Sequence, residues 1–163
     1  MPEIRKFRPG DETAVLTLAN AYAAFEGETS RADLAIAGYS PEGFWVAEED
    51  GRIVGYAYGY FKDAPDSVLR KYGATRVAYL ASMAVDPRYR GKGIASSLLA
   101  RLLDEFQKAG ADLVLVDCPA EATSAKSIYD KLGFQVRGYN LMLKLAKNRS
   151  AEVRRSRLSS QKL

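Results

Sequence analysis

The chain has 163 residues, 47% of them apolar, which is enough to bury the core of one domain. Its formal net charge is only +4, so the composition does not require a nucleic-acid or membrane partner. It has no histidine, which excludes histidine-containing zinc sites and an imidazole base, and its single cysteine, Cys118, excludes an intrachain disulfide. The lone cysteine and the lack of an apolar leader predict a cytoplasmic protein.

The basic excess belongs to the C-terminal end. From residue 147 onward, six basic residues stand against one acid, Glu152, and few residues are apolar. We expect residues 1–146 to form a single domain and residues 147–163 to be a mobile, basic tail. Because the tail lacks the interleaved aromatic residues that stack on bases, we expect no specific binding of nucleic acid.

Hydrophobic periodicity in the first 61 residues predicts a mixed α/β structure. The residues Glu3–Arg8 alternate as a half-buried strand does, and Asp11 is the predicted N-cap of the helix that follows. A short second helix is expected near Arg31–Ala37. The stretch GFWVAEEDGRIVGYAYGYF predicts two strands that meet at Asp50-Gly51, a dipeptide suited to a tight hairpin turn.

The remaining predicted elements continue the α/β pattern. After a polar connection from Lys62 to Thr75, RVAYLASMAV predicts a strand, and GIASSLLARLLDEFQKAG predicts an amphipathic helix that ends at Gly110. The apolar run DLVLVDC predicts a strand covered on both faces. A helix from Thr123 to Leu132 follows, and FQVRGYNLMLKL predicts a closing hairpin.

A basic, glycine-rich turn joins the predicted strand to the amphipathic helix. Gly91 and Gly93 would let a ligand approach the backbone, while Arg88, Arg90 and Lys92 would add charge-assisted hydrogen bonds. With the free N–H groups and the dipole of the helix N-terminus, the turn predicts a site for an anion such as a pyrophosphate. The alternative is an ordinary tight turn with solvated charges.

Two known phosphate loops fit this turn less well. A P-loop is excluded, because no glycine lies five residues before either glycine of the turn. The dinucleotide fingerprint G-x-G-x-x-G is met at Gly91 and Gly93 but has Ser96 at its third glycine. Asp112 and Asp117 follow near the place of a ribose-binding acid, so this alternative stays open, although a single βα unit does not make a doubly wound sheet.

Two sequence blocks carry a family resemblance. The stretch SMAVDPRYRGKGIASSLLARLL resembles the acyl-coenzyme A signature of the GNAT superfamily of N-acetyltransferases, whose pattern [RQ]-x-x-G-x-[GA] is met by Arg88, Gly91 and Gly93. A second block, AKSIYDKLGF, looks like the family's Ala-x-x-x-Tyr-x-x-Leu-Gly-Phe segment. With the predicted hairpins before and after them, the two blocks extend the resemblance over residues 1–146.

The resemblance implies an α/β fold (α+β in some schemes): a central mixed sheet of seven strands, splayed between strands 4 and 5, with about four helices on its faces. The splayed strands would be Ala78–Val85 and Leu113–Cys118. The implied cosubstrate is acetyl-CoA, with no metal; its pantetheine would pair with the strand before the turn, and its pyrophosphate would contact the turn. The implied cofactor-binding residues are Met83, Ala84, Val85, Arg88, Arg90, Gly91, Lys92, Gly93, Ile94, Ala95 and Ser96.

Acyl transfer to an amine requires a proton acceptor and a proton donor. An alkylammonium with a pKa of about 10.4 is not nucleophilic at neutral pH, and the coenzyme thiolate leaves more easily when it is protonated. The resemblance implies Tyr129, in the second block, as the donor. Asp117 maps to the glutamate that acts as the base in some protein-acetylating members; it could instead orient a water molecule, or be a solvated carboxylate at a strand end.

One departure and one cysteine complete the predicted site. Ala122 stands where many members have an asparagine that contacts the pantetheine, which puts one cofactor contact in doubt. Cys118 is expected to be a buried small residue and not an acyl-carrying nucleophile, because no histidine is available to activate it.

Three functions are compatible with the sequence. The first is an acetyl-CoA-dependent N-acetyltransferase that transfers the acetyl group directly, in a ternary complex, to a primary amine of a protein N-terminus, a lysine or a small molecule. The second is a non-catalytic acyl-CoA-binding module, and the third is an NAD-type nucleotide-binding protein. The sequence does not identify the amine, and we expect a monomer or a homodimer.

Overall fold

The computed structural model describes residues 1–23, 29–33 and 43–146. The chain divides into two units, Met1–Leu132 and Gly133–Leu163. The first unit contains, in chain order, β1 (Glu3–Lys6), α1 (Glu12–Tyr22), β2 (Phe44–Glu49), β3 (Arg52–Lys62), α2 (Asp66–Tyr72), β4 (Val77–Val85), a 3₁₀ turn (Pro87–Tyr89), α3 (Ile94–Lys108), β5 (Leu113–Val116) and α4 (Thr123–Lys131). Residues 31–33 are also helical.

The five strands form one mixed sheet in the order β1-β2-β3-β4-β5. Neighbouring strands from β1 to β4 are antiparallel, and β4 and β5 are parallel. The β2–β3 hairpin turns at Asp50 and Gly51, with φ angles of 50° and 73°, as the dipeptide predicts. The mixed α/β fold is therefore confirmed, with five strands in the described part of the chain and not seven.

The two faces of the sheet are covered by different helices. On one face, Val15, Leu18 and Ala19 of α1 pack in a buried cluster with Phe44 and Tyr58. Successive residues of a strand point to opposite faces, and the other face carries α3. There the ring of Phe106 packs edge-on against Phe61, 5.6 Å between centroids. The apolar stripe predicted for α3 is the buried side of that helix; its buried residues are Ile94, Leu98, Leu99, Leu102 and Phe106.

Two elements differ from the sequence predictions. The connection read as polar contains α2, which ends at Gly73 in a left-handed conformation. The closing hairpin predicted for FQVRGYNLMLKL is wrong for the described structure, because residues 133–146 form no strand. Alternating apolar residues become a strand only when a neighbouring strand supplies hydrogen bonds, and this segment has no Asn-Gly or Asp-Gly dipeptide to specify a tight turn. Tyr139 and Leu141 there are 87% and 90% exposed.

Other predictions hold in part. Asp11 stands at the N-cap of α1, but its carboxylate does not cap the helix. Instead it accepts hydrogen bonds from both terminal nitrogens of Arg5, at 2.7 and 3.0 Å, and from the Arg8 N–H at 2.9 Å.

The predicted strand β5 is half-buried and not covered on both faces. Most of the second predicted helix (34–37) and the basic tail (147–163) lie outside the described residues. Within the described residues, no helix is both long and apolar enough to cross a membrane.

Candidate active site

The parallel pair β4–β5 opens after a few residues. β5 pairs with β4 only from Val77 to Leu80, so Ala81–Val85 have no strand partner on that side among the described residues. On its other edge, β4 stays paired with β3 as far as Val85, through a bulge in which Tyr58 lies opposite Ser82 and Gly59 opposite Leu80. The predicted splay between strands 4 and 5 is thus present, and it begins beside a β-bulge.

Hydrogen-bond alternation identifies the backbone groups that face this gap. Asp86 donates its N–H to Val54 of β3 at 2.9 Å, so alternate residues before it, Ala84 and Ser82, also bond to β3. The N–H and C=O groups of Met83 and Val85 therefore point to the open edge. The side chain of Arg90 confirms the direction, because its Nε donates to the Val85 carbonyl oxygen at 2.9 Å.

The glycine-rich turn follows the open edge directly. Gly91 and Gly93 have φ angles of 77° and 79°, a left-handed conformation that residues with a Cβ rarely adopt. The first backbone bond of α3 runs from the Ser97 N–H to the Gly93 carbonyl, at 3.0 Å. Helix geometry leaves the preceding N–H groups, of Ile94, Ala95 and Ser96, without a carbonyl of their own helix. This turn therefore presents backbone donors and the positive end of a helix dipole at the mouth of the gap.

The three basic side chains of the turn differ in how strongly they interact with other groups of the protein. Arg88 forms an ion pair with Asp86, Nη2 to Oδ2 at 2.7 Å, and its hydrogen bonds lower the Asp86 pKa to about 2. Arg90 holds the Val85 carbonyl. The Lys92 ammonium lies 5.4 Å from the centroid of the Tyr89 ring, an exposed cation–π contact. Lys92 and Arg90 are thus easier to recruit to an anion than Arg88.

Tyr129 lies on α4 and is 7% exposed. Burial, and to a lesser extent neighbouring Cys118, raise the pKa of its hydroxyl to about 12. The Tyr129 hydroxyl therefore remains protonated at neutral pH, as a proton donor must. Burial also raises the pKa of the Cys118 thiol, whose Sγ faces the carbonyl oxygens of Pro119 and Ala122 at 3.7 and 3.8 Å. This environment disfavours a thiolate.

Asp117 directly follows β5 and is exposed. Its Oδ2 accepts a hydrogen bond from the Tyr79 hydroxyl of β4 at 2.9 Å. Because β4 and β5 are parallel, their carboxyl ends lie at the same edge of the sheet. The fold thereby brings Asp117 and the glycine-rich turn to one end of the strand pair. Tyr129 joins them through its electrostatic contact with Cys118, the residue after Asp117.

The alternative of a dinucleotide site does not fit this geometry. Asp112 precedes β5 and lies at the amino ends of the parallel pair, the end opposite the glycine-rich turn. Its carboxylate accepts hydrogen bonds from the Thr75 N–H and hydroxyl and from the Arg76 N–H, at 2.6 to 3.0 Å. A single parallel pair in an otherwise antiparallel sheet also differs from a doubly wound fold.

Sequence reasoning missed Tyr79. Its contact with Asp117 spans 38 residues and depends on the β4–β5 register, which no local pattern encodes. The only available signal was the aromatic residue on a strand that otherwise carries small and aliphatic side chains.

Among the described residues, no group of three or more acidic, histidine or cysteine side chains could hold a metal ion.

Comparison with known sequences connects this geometry to a family. Residues 12–134 match the family described as Acetyltransferase (GNAT) family. A mycothiol acetyltransferase of Amycolatopsis mediterranei is 27% identical over 139 residues, covering 80% of this chain and 45% of that protein. N-acetylaspartate synthetase of Rattus norvegicus is 32% identical over 120 residues, covering 72% of this chain and 37% of that protein. This chain thus spans less than half the length of these curated relatives.

Solved structures share the fold at lower identity. An aminoglycoside N-acetyltransferase in complex with CoA has a TM-score of 0.69 at 19% identity, covering 89% of this chain and 95% of that one. A chain of the NatC complex bound to Gag peptide and CoA has a TM-score of 0.71 at 18% identity, covering 82% and 84%. The family match over residues 12–134, most of the chain, establishes that the chain belongs to the GNAT acetyltransferase family.

Proposed function

We propose that this protein is an acetyl-CoA-dependent N-acetyltransferase that transfers the acetyl group directly to a primary amine in a ternary complex. The observation that carries the proposal is the open edge of β4, which leads into a turn of free N–H groups at the same end of the sheet as Asp117. Such an edge accepts an extended ligand with amide groups, and such a turn accepts a diphosphate.

The pantetheine arm of acetyl-CoA contains two amides, and the backbone of Met83 and Val85 would pair with them as an added strand. The intervening residue, Ala84, is buried and spaces them. The Val85 carbonyl is held by Arg90. A pantetheine N–H that takes this carbonyl would release the Arg90 guanidinium toward the nearby phosphates, which couples the two ends of the binding site.

The pyrophosphate would bind the amides between Gly91 and Ser96, including those of Ile94 and Ala95. Lys92, which is exposed and forms no salt bridge with a carboxylate among the described residues, would approach the phosphates together with Arg90. Arg88 is tied to Asp86, so its guanidinium mainly shapes the turn, although its charge still favours an anion at this place.

Acetyl-CoA supplies an activated thioester, and the residues at the gap would move the protons. Asp117 accepts a proton from the acceptor ammonium, directly or through a water, so that the nitrogen lone pair can attack the thioester carbon. Tyr129 donates its hydroxyl proton to the departing sulfur, and the second nitrogen proton, released as the amide forms, restores Tyr129 through solvent. The net reaction converts an ammonium and acetyl-CoA into an amide, CoA thiol and one proton.

The acceptor class is left at primary amines. The names of related proteins cover different acceptors: an N-alpha-acetyltransferase of Schizosaccharomyces pombe, an agmatine N-acetyltransferase and an aminoglycoside N-acetyltransferase. The lone cysteine supports a cytoplasmic setting for the reaction.

A thiol-release screen tests the proposal. The protein is incubated with acetyl-CoA and with N-terminal peptides, lysine peptides, polyamines, amino acids or aminoglycosides, and acetyl-CoA and NAD binding are measured by calorimetry. We expect acetyl-CoA binding and amine-dependent release of CoA with one class. Binding of acetyl-CoA without release for any amine would instead indicate a binding module, for which Ala122 at the asparagine position is the supporting feature. Binding of NAD alone would contradict both.

A further inference from the structure

A hydrogen bond joins β4 and β5 at the point where they separate. The last paired residues of the two strands are Leu80 and Val116. The Tyr79 hydroxyl reaches past this pair and donates to Asp117 Oδ2 at 2.9 Å. Asp117 is the first residue of β5's carboxyl end that has no strand partner, and Tyr79 is the contact that fixes its carboxylate.

The β-bulge determines which side chain of β4 reaches Asp117. Tyr58 and Ser82 lie opposite each other on the face covered by α1, and their hydroxyl-bearing neighbour Tyr56 bonds to Ser82 at 2.8 Å. Tyr79 lies three positions before Ser82, so simple alternation would place Tyr79 on the opposite face. The extra residue of the bulge, Ala81, reverses this and pairs Tyr79 with Tyr60 on the same face as Tyr58.

The Tyr79 ring is held on the sheet by two side chains of β3. The Tyr60 ring lies 5.6 Å from it, and the Lys62 ammonium lies 4.7 Å from its centroid. Gly59 lets β3 lie close to the Tyr79 backbone, because a Cβ on residue 59 would lie 2.2 Å from the Tyr79 carbonyl oxygen. Burial and the hydrogen bond to Asp117 raise the pKa of the Tyr79 hydroxyl, so it acts as a donor throughout the neutral range.

We propose that Tyr79 is a positioning residue for acetyl transfer: it holds one oxygen of Asp117 so that the other faces the acceptor amine at the mouth of the gap. The inference rests on the proposed function. An exposed aspartate at a strand end would otherwise rotate freely, and a base must lie within hydrogen-bond reach of the proton that it removes. The bulge, the aromatic pair and the cation above the ring together fix the Tyr79 hydroxyl where that control is needed.

A double-mutant cycle tests this role. Y79F, D117N and the combined variant are assayed with the amine that the screen identifies, and kcat and KM are measured for both substrates. Loss of a hydrogen bond to a charged group predicts a fall of about 10- to 100-fold in kcat for Y79F, with the KM of acetyl-CoA unchanged. In the D117N background, Y79F should change kcat by less than about twofold, because the carboxylate that it positions is absent.

Y60F is the matched control, since it removes a hydroxyl from the neighbouring ring of the same aromatic pair. We expect it to keep the wild-type kcat. If Y79F does not fold, D117E replaces it: the extra methylene moves the carboxylate away from the Tyr79 hydroxyl while retaining a base, and kcat should fall about tenfold.

The outcomes separate the inference from the function beneath it. If the wild-type protein releases CoA with none of the amines tested, both the role of Tyr79 and the acetyltransferase proposal are overturned. An active wild type with an equally active Y79F, with additive losses in the double variant, or with full activity in D117N overturns the role of Tyr79 and leaves the acetyltransferase proposal standing. In the D117E experiment, unchanged kcat has the same meaning.

Discussion

At the scale of single residues, burial assigns different chemistry to Tyr129 and Cys118. Burial is the main cause that raises the pKa of both side chains. For the tyrosine this preserves the proton that a leaving thiolate needs, whereas for the cysteine it suppresses the thiolate that a nucleophile needs. The same environment therefore supports direct transfer with Tyr129 as the donor and argues against an acyl-cysteine intermediate.

Replacing Tyr129 by phenylalanine should lower kcat by about 100-fold or more and leave the acetyl-CoA dissociation constant unchanged, because only the proton donor is removed. Single-turnover acetylation and calorimetry measure the two quantities. Tyr139→Phe is the control, since Tyr139 is 87% exposed. Tyr129 loses the catalytic role if its variant turns over at the wild-type rate.

The sequence predicted the residues that belong to local motifs better than those that meet through register. Gly91, Gly93 and Tyr129 lie in two short sequence blocks that can be identified without knowledge of the fold. Asp117 was assigned through the family resemblance, which aligns it with the glutamate base of some members. Its hydrogen-bond donor Tyr79 was not, because the pairing of Tyr79 with Leu115 and the bulge at Ala81 exist only in the folded sheet.

At the scale of elements, the turn between β4 and α3 combines two left-handed glycines with a helix N-terminus. A Cβ at Gly91 would meet nothing within 4 Å, so the constraint at this position is the φ angle of 77° and not packing. A larger residue would therefore be tolerated sterically in the unliganded protein. It would strain the left-handed backbone conformation that directs the amides of the proposed pyrophosphate site.

Gly91→Val should weaken acetyl-CoA binding by about tenfold or more, since misdirected N–H groups lose charge-assisted hydrogen bonds. Gly73→Val is a matched control, because Gly73 also has a positive φ, 61°, with open space around its Cβ, but lies at the end of α2. Both variants should lose about 1–2 kcal/mol of unfolding free energy. Equal dissociation constants for Gly91→Val and wild type would remove the turn from the pyrophosphate site.

Elements with a strong period were predicted from the sequence, and those that depend on context were not. The stripe of α3 and the Asp50-Gly51 turn carry their own signals. α2 is seven residues long with no buried residue, so its only marks were Pro65 before its first residue and Gly73 after its last. The segment after Gly133 alternates like a strand yet forms none, since periodicity does not supply a partner.

At the scale of the whole unit Met1–Leu132, side-chain hydrogen bonds join the parallel strands β4 and β5 at their amino ends, whereas their carboxyl ends separate. Asp112 binds Thr75 and Arg76 at their amino ends through four hydrogen bonds. Tyr79 and Asp117 form the last tie before the gap. The arrangement lets β4 and β5 separate toward the glycine-rich turn without loosening the sheet that carries the site.

Three hydrogen-bonded carboxyl groups, those of Asp112, Asp86 and Asp11, make the stability of the fold sensitive to acid. Hydrogen bonds from Thr75 and Arg76 lower the pKa of Asp112, and those from Arg88 lower the pKa of Asp86 to about 2. For Asp11, burial opposes ionisation, but Arg5 and Arg8 outweigh it and lower the pKa. Each carboxyl thus binds fewer protons in the folded than in the unfolded chain, so its stabilisation is complete above its ordinary pKa and is lost as the pH falls.

We expect the melting temperature to fall steadily from about pH 4.5 to about 2, the range that joins the ordinary and the lowered pKa values of these carboxyls. Between about pH 6 and 8 it should stay nearly constant, because the chain has no histidine to titrate there. Asp112→Asn should melt lower at pH 7 and show a shallower acid slope, since one of the linked protons is gone. Asp104→Asn, which removes only the exposed pair with Lys108 on α3, should follow the wild-type slope. Acid slopes that run parallel in all three proteins would show that the tie at Asp112 does not stabilise the strand pair.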